Sequence, residues 1–151
     1  MKKLLIVIAC VPFVLWGQGE AETFDKVNQM PLLANCENED CTNKEIMNYI
    51  ANNFHYPELA KVSNIEGKLI LYFIVEKDGS VNDVELIRGI NSNIYLHGKS
   101  DSIQLVIKDA ISSLHNESIT ILSKLVFDKP GIQDNKAVRV RYTIPIKCKL
   151  S

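Results

Sequence analysis

An alternation of apolar and polar residues at the end of the chain constrains the fold more than any other feature. Pro145 stands within residues 137–149, where every second side chain is apolar: Val138, Val140, Tyr142, Ile144, Ile146 and Cys148. A period of two predicts a β-strand with one face on a core and the other in solvent. Because proline has no N–H for a neighbouring strand, we expect this strand at a sheet edge.

An edge strand of this kind has two functional interpretations. Its unpaired backbone groups can receive a further strand, which is a common way to bind an extended peptide. The solvent-facing charges are all positive, which favours an acidic partner: Arg139, Arg141, Lys147 and Lys149. The alternative is that these residues only protect the edge from aggregation.

The N-terminus has the layout of a signal peptide over residues 1–21. Two lysines precede an apolar run from Leu4 to Trp16, and small residues follow at Gly17 and Gly19. The run is shorter than the roughly 20 residues of a membrane span. We therefore expect cleavage before Glu22 and export. Lipidation at Cys10 and retention as a short anchor are the alternatives.

Export brings the cysteines into an oxidising compartment, where they tend to pair. Cys36 and Cys41 lie close together in a polar stretch, and we predict a disulfide between them. Cys148 is expected on the core face of the last strand, free or paired outside the chain. A zinc site from Cys36, Cys41 and His55 fits no standard spacing.

Composition argues against several classes of function. The net charge of −1 does not favour binding to nucleic acid or to a membrane surface. The chain has three histidines, His55, His97 and His115, and none stands in a recognisable nucleophile, base or metal motif. We expect no enzymatic activity, no cofactor and no metal.

The remaining patterns predict the other elements. Residues 22–42 are polar and indicate a tether, and a capping box at Thr42 predicts a helix from Asn43. Pro57 suits the start of a second short helix. Residues 68–76 are apolar on both faces, which indicates a central strand, and Gly79 lies in a hairpin turn.

The second half of the chain completes a sheet. Residues 81–88 predict a bulged return strand, and an amphipathic helix begins near Ser102. Residues 118–127 fit either a helix or a strand. A right-handed crossover then gives an α+β fold of type ββαβ after N-terminal helices. Its three-stranded antiparallel sheet has the order 81–88, 68–76, 137–149, with helices on one face.

The succession of short motifs resembles the C-terminal domain of TonB-family energy transducers over residues 43–151. It is the order of the motifs, rather than any one of them, that is specific. The matching residues are Tyr56-Pro57, Ala60, Ile65-Glu66-Gly67, Phe73, Val75, Asp78-Gly79, Val81, Val84, Pro130-Gly131 and Val138 to Ile146.

The resemblance implies a periplasmic domain whose last strand pairs with a short "box" peptide of an outer-membrane TonB-dependent receptor. A proton-driven inner-membrane motor complex would be a further partner, and a homodimer is also open. Carried over by position, the partner-binding residues are Tyr56, Pro57, Val138, Arg139, Val140, Arg141, Tyr142, Thr143, Ile144, Pro145 and Ile146.

Three features depart from the family pattern. The N-terminal segment looks like a cleavable signal, whereas transducers keep a transmembrane anchor. Pro31 is the one proline between Gln18 and Tyr56, where transducers have a proline-rich spacer. Phe127 stands where close members usually have tryptophan. The alternative function is therefore a soluble exported module that binds an extended peptide without transmitting force.

Overall fold

The computed structural model describes residues 21–151. The predicted signal peptide, up to residue 20, lies outside the described residues, as does Cys10. None of the described helices is long and apolar enough to cross a membrane. In chain order the elements are β1 (Thr23–Phe24), α1 (Glu39–Asn53), α2 (Glu58–Val62), β2 (Gly67–Val75), β3 (Val81–Arg88), α3 (Asn93–Leu96), α4 (Asp101–Ser123), β4 (Gly131–Gln133) and β5 (Lys136–Cys148).

The sheet has the order β1-β5-β2-β3, with β4 paired to β5. The central strand β2 runs antiparallel to β5 in an unbroken register from Gly67↔Cys148 to Val75↔Val140. It is also antiparallel to β3, where the register shifts twice. The predicted α+β fold, its strand order and the bulged return strand are confirmed. The short strands β1 and β4 were not predicted.

One face of the sheet carries the core. Side chains from β2 and β5 pack there with α1, α2 and α4 in one buried cluster. At its centre Phe73 stacks on Tyr142 with ring centroids 5.4 Å apart, and Phe127 lies about as close to both rings, at 6.0 and 5.9 Å. Phe127 is therefore a core residue that completes an aromatic cluster.

Gly79 is required in the turn between β2 and β3. Its φ is +85°, and a Cβ there would lie 2.1 Å from the carbonyl oxygen of Phe127. The Phe127 N–H donates to the Gly79 carbonyl at 2.8 Å. The backbone that follows α4 therefore packs directly against this turn. Only a residue without a side chain leaves room for it at position 79.

The first helix begins at Glu39, four residues before the predicted start. Asn38 is its N-cap and accepts the Cys41 N–H at 2.8 Å. Thr42 was predicted as the cap, but it is fully buried, and its hydroxyl accepts the Leu33 N–H instead. Asn38 followed by two acidic residues was the better N-terminal signal.

Residues 21–38, here called the N-terminal strap, contact the domain and include most of the segment 22–42 that was predicted as a tether. Two isolated bridges join the strap to the chain before β5, Gln29 to Ile132 and Leu32 to Lys129. Pro31 within it is fully buried. The strap ends at a disulfide between Cys36 and Cys41, whose Cα atoms are 5.5 Å apart.

The chain between α4 and β5 forms a second hairpin. Residues 118–127, which fitted either a helix or a strand, contain some of each. Helix α4 continues to Ser123, and Val126 then forms an isolated β-bridge with Ser80. β4 and β5 are joined through the pair Gln133↔Lys136 by Asp134 and Asn135, both at positive φ. Two successive left-handed residues form the turn type that suits a tight hairpin.

Candidate strand-addition edge

The outer side of β5 is occupied at its beginning and open further on. On that side β1 pairs in parallel with Arg139 and Val140, whereas β4 pairs with residues 136–138, before the register with β2 begins at Val140. From Arg141 to Cys148, β5 pairs with β2 alone within residues 21–151. We call residues 141–148 the open edge.

The predicted partner-binding strand is therefore divided. Val138, Arg139 and Val140 already have partners from this chain, and the predicted role of residues 138–146 in binding a partner stays a prediction. The strap supplies the partner of Arg139 and Val140 through β1, and β4 supplies the partner of Val138. Tyr142 and Thr143 lie on the open edge, as do Arg141, Ile144, Pro145 and Ile146.

Pro145 indicates which backbone groups point outward. It lies opposite Ile70 in a register that continues without a shift on both sides. Because it has no N–H, its nitrogen is best placed away from β2. Backbone direction alternates along a strand. The N–H groups of Arg141, Thr143 and Lys147 are thus inferred to point outward, with a missing donor at Pro145.

Every second side chain of the open edge belongs to the core. Tyr142 is 4% exposed, and its hydroxyl donates to Asn43 Oδ1 in α1. Burial raises the pKa of Tyr142 to about 12. Ile144 and Ile146 are buried as well. By the alternation above, their backbone groups face β2, so these three residues hold the strand in place and leave the contact with a partner to the residues between them.

The positive side chains of β5 differ in their availability. Arg139 donates from Nε and Nη2 to the two carboxylate oxygens of Glu76, at 2.9 and 3.1 Å. It also lies 3.4 Å from Asp83 and donates to the Ala21 carbonyl. Its charge is thus paired within the chain. Arg141 lies over the Tyr72 ring at 4.8 Å and is about half-exposed, so it remains accessible.

The Tyr56-Pro57 pair has a local structural role. The Tyr56 hydroxyl donates to the Ile65 carbonyl, and its ring packs edge-on against Phe54 at 6.1 Å. Burial, and then the neighbouring Cys148, raises the pKa of Tyr56 to about 12. Pro57 caps α2. The pair therefore shapes the corner between α1 and α2, near the C-terminal end of β5.

Within residues 21–151 the cysteines and histidines do not form a metal site. Cys36 and Cys41 are bonded to each other, so their sulfurs are not thiolate ligands. Cys148 is buried, and burial raises the pKa of its thiol to about 11. Among the described residues there is no cluster of three or more side chains that could hold a metal ion.

Three comparisons with known proteins bear on this fold. Residues 52–96 match the family model described as Gram-negative bacterial TonB protein C-terminal. The TonB proteins of two Helicobacter pylori strains are 28% identical over 60 residues, which is 40% of this chain and 21% of each relative. The chain thus matches about a fifth of the length of these relatives.

Solved structures of the H. pylori TonB C-terminal domain are also similar. Two NMR structures match with TM-scores of 0.42 and 0.34, at 21% and 24% sequence identity. The matched regions cover 78% and 69% of this chain, and in each case 88% of the solved structure.

The predicted resemblance to the TonB C-terminal domain is confirmed. The family model matches the chain from the last residues of α1 to the end of α3. Tyr56 and Pro57 lie inside the matched segment and β5 lies beyond it. A role for β5 therefore depends on the geometry of the open edge.

Proposed function

We propose that this protein binds an extended peptide of an outer-membrane TonB-dependent receptor by strand addition at the open edge. The setting is the periplasm, during energy-coupled import across the outer membrane, with a proton-driven inner-membrane complex as the source of work. One observation carries the proposal. In a chain that resembles the TonB C-terminal domain, residues 141–148 are held in register by β2 on one side, and no strand within residues 21–151 pairs with their other side.

The open edge suits a short extended segment. Its eight residues span about 26 Å at the usual rise of a strand. The alternating direction of the backbone offers outward pairs of N–H and C=O at Arg141, Thr143 and Lys147, and a carbonyl alone at Pro145. Main-chain bonds of this kind supply affinity with little dependence on sequence.

Proline substitution tests this proposal at Thr143. Thr143→Pro removes one outward N–H and leaves the bonds to β2, so we expect a folded protein, as position 145 already tolerates proline. One lost hydrogen bond, together with the ring in the path of the strand, predicts binding weaker by about tenfold or more. Thr143→Ala keeps the N–H and is the matched control, with affinity within about twofold.

The probe for these measurements comes from the cell. A photo-crosslinking residue at position 143 captures the partner, and the captured segment is then synthesised as a peptide for titration. Ile144→Pro is expected to damage the sheet, because its N–H is assigned to β2. If Thr143→Pro unfolds the protein while Ile144→Pro does not, the backbone directions are reversed. If Thr143→Pro is folded and binds normally, the open edge is not the site.

The strap favours a second candidate, an exported module that binds the same peptide without transmitting force. Residues 23–41 are fixed to the domain by β1, two bridges and the disulfide, so they add no free reach between the domain and what precedes it. Fractionation of tagged full-length protein separates the two functions. A transducer is expected with the inner membrane, and a released module in the soluble periplasmic fraction.

A further inference from the structure

We propose that a cavity at the C-terminal end of the open edge selects partner strands that carry a large apolar side chain beside a carboxylate. The inference rests on the proposed function, since the occupant is a side chain of the added strand. It goes further, because it assigns a sequence preference to a contact that main-chain pairing leaves unspecific.

The cavity has an apolar lining. It is large enough for one large side chain of a partner strand and parts of the adjacent residues. Its volume is about 600 Å³, and it lies between α1 and the ends of β2 and β5. Met47, Pro145 and Cys148 supply its apolar surface, and Gly67 contributes no side chain. Met47 is 42% exposed although it is a large apolar residue. An apolar side chain in the cavity would cover it.

Three lysines surround this apolar surface: Lys68, Lys147 and Lys149. Within the described part of the chain, no carboxylate oxygen lies within 4.0 Å of any of their ammonium groups. Glu66 also lines the cavity, but its carboxylate accepts the Leu150 N–H at 2.6 Å. The rim is therefore positive, and a carboxylate would complement it.

The cavity is continuous with the open edge. Pro145 and Lys147 belong to both, so a strand paired along residues 141–148 passes the mouth of the cavity. Side chains of a strand alternate in direction, and one of them would face the cavity while its neighbours reach the lysines. This continuity favours a partner strand over a separate small anion or a lipid headgroup.

Capped nine-residue peptides test the preference directly. The parent peptide alternates threonine and valine and has one central leucine flanked by two glutamates. One variant replaces the leucine with alanine, and another replaces both glutamates with glutamine. We expect each change to weaken binding by roughly threefold to tenfold. The effect of the glutamates should also shrink at high salt, because exposed charges are screened.

Variants of the protein locate the effect. Replacing the three rim lysines together with glutamine should abolish the preference for glutamate and leave the preference for leucine. Met47→Ala should do the reverse. The matched control carries the same three charge changes elsewhere, at Lys77, Lys108 and Lys124, which are exposed. It should retain both preferences.

The outcomes separate this inference from the proposed function. If all peptides bind equally and Thr143→Pro abolishes binding, strand addition stands and the cavity proposal is overturned. If no peptide binds, both fail. If the rim variant instead loses binding to vesicles of anionic phosphatidylglycerol while peptide preference is unchanged, the lysines serve a lipid surface and the cavity proposal is overturned.

Discussion

The contact between Arg139 and Glu76 gives the sharpest test of how the strap is held. The two side chains are 20% and 21% exposed and share two hydrogen bonds, at 2.9 and 3.1 Å. Arg139 also reaches the Ala21 carbonyl and the Thr23 hydroxyl, at 3.2 and 3.4 Å. One side chain thus connects β5, the end of β2 and the strap.

A double-mutant cycle measures this contact. An exposed ion pair contributes about 0–1 kcal/mol, and a hydrogen bond to a charged group about 1.5–3 kcal/mol. With most of both side chains covered, we expect a coupling energy of about 1–2 kcal/mol between Arg139→Gln and Glu76→Gln. Urea unfolding of the wild type, both single variants and the double variant gives this value.

Arg141 and Asp25 provide the matched control. Their closest charged atoms are 4.0 Å apart, and the side chains are 47% and 80% exposed. The same cycle on this pair should give less than about 0.5 kcal/mol. Arg139→Gln should also speed hydrogen exchange in residues 21–25, since β1 loses an anchor. A coupling energy near zero for Arg139 and Glu76, with unchanged exchange, would refute the reasoning.

Three further predictions concern single residues. Gly79→Ala should destabilise the fold by at least about 1–3 kcal/mol from backbone strain, as measured by urea unfolding, because φ is +85° and the Phe127 carbonyl occupies the site of the Cβ; wild-type stability would show that the turn is not tight. His115 accepts the Ile90 N–H, and burial lowers its pKa below the ordinary 6.5. The folded state favours its neutral form. Its contribution to the free energy of unfolding is therefore complete above about pH 6.5 and is lost as the pH falls below that value. His115→Gln should reduce the fall of the urea midpoint between pH 7.5 and pH 5. An equal fall in the wild type and the variant would contradict this. Thiol labelling of the denatured, exported protein should modify Cys148 and spare Cys36 and Cys41, whereas labelling of all three would show that no disulfide forms.

The sequence predicted the parts of the fold that have a local period. The last strand, the central strand and their antiparallel order followed from alternation and from Pro145. The elements that were missed have little local signal. β1 is two residues long and pairs with Arg139 and Val140, more than a hundred residues away. Asp134-Asn135 did carry a hairpin signal, because both residue types tolerate a left-handed backbone.

The candidate site was predicted less well than the fold, for the same reason. Alternation shows which side chains of β5 face the core, but not which strand lies on its outer side. That depended on the strap, whose polar composition resembles that of a flexible tether. The cavity by Met47 was out of reach too, because three separate segments form it.

The parallel pairing of β1 with β5 determines how the domain would respond to tension. A pull on residue 21 along the axis of β5 would load the two pairs at Arg139 and Val140 in shear. A partner strand on residues 141–148 would grip the same strand from the same side. The load path would then run through one strand and bypass the hydrophobic core. Under such a load the domain would lose β1 while the pairing of β5 with β2 and the hold on the partner stayed intact.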